Sequence, residues 1–342
     1  MGSNTLHMLV PGLLGPMPGW KDLQPAPRYP LLERLLSRAD PVSAAGEDYE
    51  STLSHLFNLE RAAGIDLPTA ALRRIADGGE PDDRLWIQVT PVHLRPDQDR
   101  LLLFDVEEFD FSLAEAEALA SLFNEHFAEI GWQLEAPVAH RWYLTTETAP
   151  GIITSEVSAV FGRNMDMFLP RGVDALQWHS LLNEVQMLFS TAQVNEQRSD
   201  QGKLPVNGTW FSGIGRLPQL SDPRYLQVYS NDPLASGLAL AAGIRPAPLE
   251  EGYPAGLTTA QGDELVVYDR LQRSVMRSDP FDWSDALSEF EQGLSQLLEM
   301  IRKGEVQRLL LYLCNGNAYE VRKRTMGRFW RRPAPLGSQL QL

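Results

Sequence analysis

Asn195, Arg198 and Asn207 stand within thirteen residues of one another and follow a helical segment that carries a neutral, amide-rich polar stripe. From about Asp174 to Phe189, the residues His179, Asn183, Gln186 and Ser190 recur at i, i+4, i+7 and i+11. They form one stripe opposite the apolar residues Trp178, Leu181, Leu182, Val185, Leu188 and Phe189. A solvated helix face usually carries Lys and Glu, whereas amides both donate and accept. That chemistry suits a buried hydrogen-bond network, a ligand or a partner surface. Arg198 is the natural charge partner for an anion. Asn183, Gln186, Asn195, Arg198 and Asn207 are therefore candidate ligand-binding residues, expected together near the C-terminal edge of the main sheet. The alternative is that the same groups brace their loop by bonding its backbone.

Other reactive types are dispersed. The six histidines, His7, His55, His93, His126, His140 and His179, occur singly, with no H-x-H or H-x-x-x-H pair, and none follows His179. Such spacing supplies no local metal-ligand motif. Gly213-Ile214-Gly215-Arg216 reads as a short glycine loop without the fingerprint of a phosphate cradle. The single cysteine, Cys314, ends an apolar run and reads as a buried small residue. Near the C-terminus, Arg322, Lys323, Arg324, Arg328, Arg331 and Arg332 put six cations in eleven residues, beside Phe329 and Trp330. This interaction tail could dock on the chain's own acidic surface, bind a protein partner or touch nucleic acid. Removal of residues beyond Val321 is expected to leave the fold intact.

The elements that must position these groups follow from composition and periodicity. The chain has 342 residues, 43% of them hydrophobic, and a net charge of −15. That is enough for two domains with packed cores, and too acidic for a general nucleic-acid binder. Met1–Val10 lacks a basic region and a long apolar run, so no signal peptide and no membrane span are expected, and one cysteine fits a reducing cytoplasm. Leu6–Val10, Leu85–Val92, Leu101–Phe104, Arg141–Thr145, Tyr225–Tyr229, Leu265–Tyr268 and Arg308–Leu313 read as strands. Ser112 with Glu115 makes a capping box opening a helix that stops at Gly131. Tyr29–Ser37, Pro233–Ala242 and Ser284–Lys303 read as further helices, the last closed by Gly304. Strand–helix alternation in the C-terminal half argues for a largely parallel sheet.

The order Val194-Asn195, Arg198, Gly202, Pro205, Asn207, Trp210, Gly213 and Gly215 resembles a segment of the archaeal-type cofactor-independent phosphoglycerate mutases. It reads roughly H-P-V-N-x-x-R-x-x-x-G-x-x-P-A-N-x-x-W-x-W-G-x-G there. Those enzymes belong to the alkaline phosphatase superfamily and use two metal ions and a serine nucleophile. The resemblance implies an α/β fold: an alkaline-phosphatase-like main domain from residues 1–60 and 172–342, and a smaller inserted α+β domain from 61–171. It places the nucleophile position at Tyr49–Phe57, making Ser51 and Ser54 the catalytic candidates, and likens Gly252–Asp263 to a G-A-T-G loop.

The departures share one character. The Asp-Gly pair that supplies the family's first metal ligand is Pro11-Gly12 here. A histidine-rich run is replaced around Asp269–Ser274, and an Asp-His pair by Cys314-Asn315-Gly316. Transition-metal sites need N and O donors in fixed number. The sequence thus points to a mutase-like protein that has lost metal-dependent catalysis and acts by binding a small anion or a protein partner, with no cofactor. A divergent active mutase or phosphotransferase using Mn or Mg is the alternative, for which Asp263, Asp269 and Asp279 are the oxygen donors at hand. A nucleic-acid-associated protein using the basic tail is a third reading.

Overall fold

In the computed structural model, residues 4–98, 100–220, 224–249 and 262–340 are described. The chain divides into two compact units, one from the residues up to Glu60 and from Leu220 onward, the other from Arg61–Gln219. The expected loop at Gly252–Asp263 lies outside the described residues except for its last two positions.

The first unit is built on a six-stranded sheet in the order Tyr225–Tyr229, Asp263–Val267, Thr5–Leu9, Arg308–Tyr312, Asn317–Val321, Asp40–Ser43. The first four strands are parallel, and the last two pair antiparallel at one edge. Thr5–Leu9 is buried at all five positions, as expected of a central parallel strand covered on both faces. One face packs against the helices Pro30–Arg38 and Pro280–Lys303, where Leu32, Leu36, Leu287, Phe290, Leu294 and Ile301 meet Leu6, Met8, Leu309 and Leu311. The long helix begins four residues before the sequence expectation. Asp279 caps it by accepting from the Phe281 and Asp282 amides, and Pro280 occupies its first turn.

The C-terminal segment belongs to this core. Leu336 is fully buried and its amide donates to Glu33 Oε1 at 3.1 Å. Arg328 bonds the Asp40 carboxylate and the Arg38 carbonyl, and Arg331 donates to the Ala39 carbonyl. The expectation that residues beyond Val321 are dispensable is corrected on this point, because they close one side of the apolar core.

The second unit is built on an antiparallel sheet around the thirteen-residue strand Leu85–Asp97. Its partners are Arg100–Asp105, Arg141–Thr146 and Gly208–Gly215, with Gln133–Val138 outside Arg141–Thr146. The helices Leu113–His126 and Ala175–Ser190 cover it, burying Phe123, Trp178, Val185 and Phe189 against Val89, Trp142 and Phe211. Residues 172–219 therefore pack with the second unit, not the first. The boundary expected at 171/172 moves because Gly208–Gly215 is a paired strand and Ala175–Ser190 buries its apolar face here. Gly213-Ile214-Gly215 is likewise strand and not loop. Gly213 has φ +69, and a Cβ there would sit 2.0 Å from Thr69 Oγ1 of the helix Thr69–Ala76. At Gly215 a Cβ would meet Pro68 at 2.5 Å, so both glycines exist for close helix–strand approach.

His7, in the middle of the central strand, has no solvent exposure. Its Nδ1 meets the Tyr312 hydroxyl at 3.0 Å and its Nε2 meets Asp263 Oδ2 at 3.4 Å. Burial, reinforced by Arg224 and opposed by Asp263, lowers its pKa from 6.5 to about 4. The native chain therefore holds this imidazole neutral where the unfolded chain would protonate it. Stability from this group is complete above pH 6.5 and falls as pH drops toward 4. Urea unfolding of His7→Gln should show a shallower loss of stability across that window than the wild type. Leu336→Ala should lower the unfolding free energy by about 2–5 kcal/mol, the range for emptying a fully buried leucine site, read from the urea midpoint.

Candidate functional site

The short helix Gln193–Asp200 turns two polar side chains inward, Asn195 and Arg198. The Asn195 amide donates to the carbonyls of Phe189 and Val206 and accepts from the Val206 amide, each at 2.8 Å. Arg198 is 1% exposed and spends every guanidinium nitrogen internally. Nε donates to Leu204 O, Nη2 to Phe109 O, and Nη1 to Asp110 O and Glu115 Oε1. Asn207 pairs with the Leu94 amide at 2.7 Å and the Leu94 carbonyl at 3.0 Å, imitating one rung of a sheet. These bonds sew a non-repetitive segment to the antiparallel sheet and satisfy its buried backbone groups.

The five candidate ligand residues are therefore not one pocket. Asn195, Arg198 and Asn207 form a bracing network within the second unit. Asn183 is exposed and Gln186 half-buried on the helix Ala175–Ser190, and neither joins that network. The anion-pocket expectation for Arg198 gives way because its guanidinium is buried and turned onto four protein oxygens.

A second place where chemistry could occur is fixed by the parallel sheet. Leu9 pairs with Val267 on one side and Tyr312 on the other. Two residues further along the three strands stand Pro11, Asp269 and Cys314. Tyr229 pairs with Val266, so three residues further Asp232 stands beside Asp269. The row Asp232, Asp269, Pro11, Cys314 thus lies beyond the carboxyl ends of the strands, where open α/β sheets place their ligands. Asp232 also caps the helix Pro233–Ala241 by accepting from the Ala235 amide at 2.8 Å. Gly12 closes the central turn at φ +79, where a Cβ would press on the Leu271 carbonyl at 2.9 Å. Its carbonyl accepts from the Trp283 indole.

Over this row sits Tyr49, at the start of the helix Tyr49–Leu56. Its hydroxyl is buried without a hydrogen bond of ordinary geometry. Burial first, then the nearby Asp232, hold its pKa well above the usual phenol value. Asp269 is raised above the carboxylate norm, by burial first and then by Asp232, while its 3.1 Å ion pair with Arg273 opposes the shift. Burial, with Glu50 and Asp48 nearby, pushes the Cys314 thiol well up, so it is neither a thiolate nucleophile nor a ready soft ligand. The arrangement can hold protons and accept hydrogen bonds.

Ser51 is occupied in a capping box with Asp48, its hydroxyl bonding the Asp48 carboxylate and its amide donating to Asp48 Oδ1 at 2.7 Å. Ser54 is fully buried and its hydroxyl has no hydrogen-bond partner among the described residues. Among the described residues neither hydroxyl is hydrogen-bonded to a histidine. The three aspartates at hand for magnesium do not converge: Asp263 opens its strand beside His7, Asp269 lies past the strand's other end, and Asp279 caps a helix. Among the described residues no three His, Cys, Asp or Glu side chains are grouped to hold a metal ion. His93, His126 and His179 each bond a protein oxygen, Pro205 O, Glu184 Oε1 and Pro170 O, while His55 is exposed. No described helix is long and apolar enough to cross a membrane. The strand-end row is not legible in sequence because its members lie as far apart as Pro11 and Cys314. The signal available was that each follows an apolar run.

No family model matches the chain. Over 204 residues it is 23% identical to a probable 2,3-bisphosphoglycerate-independent phosphoglycerate mutase of Geobacter sulfurreducens, covering 56% of this chain and 51% of that protein. Over 159 residues it is 24% identical to the corresponding mutase of Methanosarcina mazei, covering 44% and 36%. The chain thus spans about half or less of the length of the curated relatives it matches. Its fold is similar to that of a solved Pyrococcus horikoshii protein, with TM-score 0.55 and 14% identity over 94% of this chain and 87% of that one. A cofactor-independent phosphoglycerate mutase of Thermoplasma acidophilum gives TM-score 0.48 and 15% identity over 99% and 95%. The chain is a distant relative of the cofactor-independent phosphoglycerate mutases, with an α/β fold of largely parallel main sheet and a second, antiparallel sheet.

If Arg198 is a brace, its removal is a stability event. Arg198→Ala should cost about 3–5 kcal/mol, the range for breaking a buried pair. Removing the exposed Arg270, paired with Asp282 at 3.1 Å, should cost under about 1 kcal/mol. Parallel urea titrations of the two variants check the contrast.

Proposed function

We propose that this mutase-like chain does not carry out two-metal phosphoryl transfer and acts through binding. The observation that carries the reading is the donor chemistry of the strand-end row. A pair of divalent ions needs several carboxylate and imidazole donors at fixed positions. Here the central position is Pro11, which has no side-chain donor. Cys314 is a half-buried thiol whose pKa is held well up, and Asp269 is paired to Arg273. The residues present do not fit the metal pair, and no step is routed through one. The serine candidates fit no better. Ser51 is held by its own helix cap and Ser54 is sealed in the core, so neither has the base that would make it a nucleophile.

Tyr49 takes up the space over the row with a neutral hydroxyl beside Asp232, and Arg273 supplies the positive charge that a metal would supply in the resembled enzymes. An internal cation of this kind can stabilise a fold, but it cannot lower the pKa of a bound water or polarise a phosphoryl group as a metal ion does.

The test is a mutase assay on the purified chain with added manganese and 3-phosphoglycerate, together with elemental analysis of the protein. The expected result is no detectable 2-phosphoglycerate and no stoichiometric Mn, Zn or Mg. Turnover that is abolished by Ser51→Ala would overturn the reading and establish a divergent mutase.

A further inference from the structure

In the first unit, a cavity of about 260 Å³ opens between the C-terminal halves of the helices Pro30–Arg38 and Pro280–Lys303 and the segment that leaves the strand Asn317–Val321. Four cations line it, Arg34, Arg38, Arg302 and Lys323, with no carboxylate among the lining residues. Its apolar wall includes Leu35, Leu298 and Val321. It is distinct from the strand-end row. Val321 pairs with Leu309 near the start of its strand, whereas Cys314 follows Tyr312 at the other end, so the two places lie at opposite ends of the strands.

The balance of charge around this cavity calls for a partner. The chain as a whole carries −15, yet here four positive groups share one concavity. Arg34 and Lys323 make no hydrogen bond or ion pair among the described residues. Arg302 has only a long 3.6 Å approach to Glu299, and both are largely exposed. Arg38 donates through Nη1 to the Met326 carbonyl, while its Nε is buried with no acceptor. A cation in the last turn of a helix complements the helix dipole, which accounts for Arg38 and Arg302. It does not account for Arg34, a turn earlier, nor for Lys323, which comes from a different segment. Neighbouring tail cations behave otherwise: Arg328 is neutralised by Asp40 and Arg322 by Glu320. Unpaired like charges around a cleft with apolar walls repel one another and raise the local concentration of anions.

We propose that this cavity binds a small phosphorylated molecule. Its phosphoryl oxygens would be taken by the planar Arg34 and Arg38 guanidinium groups and the Lys323 ammonium, and its carbon portion would lie on the Leu35–Leu298–Val321 wall. Guanidinium groups match phosphoryl oxygens in geometry as well as charge. The volume suits a compact metabolite and is below that of most drug-sized pockets. The site uses Lys323 of the basic tail and not its other cations, which separates it from a general polyanion surface.

Pyrophosphate is the probe, titrated into the full chain by calorimetry at fixed ionic strength, with citrate as a polyanion lacking phosphorus. The wild type should bind one pyrophosphate per chain and prefer it to citrate. The double variant Arg34→Ala/Lys323→Ala should bind about tenfold or more weakly, as expected from losing two charge-assisted contacts. The charge-matched variant Lys21→Ala/Lys303→Ala, whose side chains do not line the cavity, should bind as the wild type does. Neither side chain holds a hydrogen bond or ion pair among the described residues, so the unliganded urea midpoint should change little, which distinguishes a lost site from a lost fold. No binding by the wild type, equal binding by the two double variants, or citrate bound as tightly as pyrophosphate would each overturn the proposal. None of these outcomes bears on the strand-end row.

Discussion

The strand Thr5–Leu9 is hydrogen-bonded along both edges and covered on both faces, and its partners are Asp263–Val267 and Arg308–Tyr312, more than 250 residues away in the chain. A buried strand must satisfy every backbone donor and acceptor with other strands, so this long closure is the condition on which the first unit rests. It also fixes what stands at the strand ends. With the register set by Leu9, Val267 and Tyr312, Pro11 can only fall between Asp269 and Cys314. The chemistry of the row follows from a packing constraint, and the turn cannot readily be re-aimed, because Gly12 lies against the Leu271 backbone.

The same economy governs the polar groups that sequence reading marks as functional. Arg198, Asn195 and Asn207 meet the demand of an irregular segment for buried hydrogen bonds. Arg328 and Arg331 tie the C-terminal segment to the end of the Pro30–Arg38 helix. In each case an arginine with many donors replaces a stretch of regular secondary structure. Arg34 and Lys323 break this pattern, since their donors have no acceptor among the described residues.

Local chemistry made much of the fold legible. Ser112 and Glu115 announce the helix Leu113–His126 through their capping box, and the apolar runs Leu6–Val10 and Arg308–Leu313 mark the buried parallel strands. What stayed hidden depends on contacts between distant segments. Gly213 and Gly215 read as loop residues because nothing nearby in sequence reveals the helix Thr69–Ala76 that presses on them. Asp40–Ser43 carries only one apolar side chain, and its strand exists by pairing with Asn317–Val321 at the sheet edge. At the candidate sites the loss of donors at Pro11 could be read from the motif. The approach of Tyr49 to Asp232, and the meeting of Arg34, Arg302 and Lys323, could not, because each joins segments far apart in the chain.

On the reading proposed above, internal pairing at the strand-end row stands where the resembled enzymes hold metal ions. Crystals of the protein grown with millimolar manganese, measured at the manganese absorption edge, address it most directly. The account predicts no anomalous peak among Pro11, Asp232, Asp269 and Cys314, with Arg273 still paired to Asp269. A pair of strong peaks there, with Asp232 and Asp269 as ligands and Arg273 displaced, would contradict it.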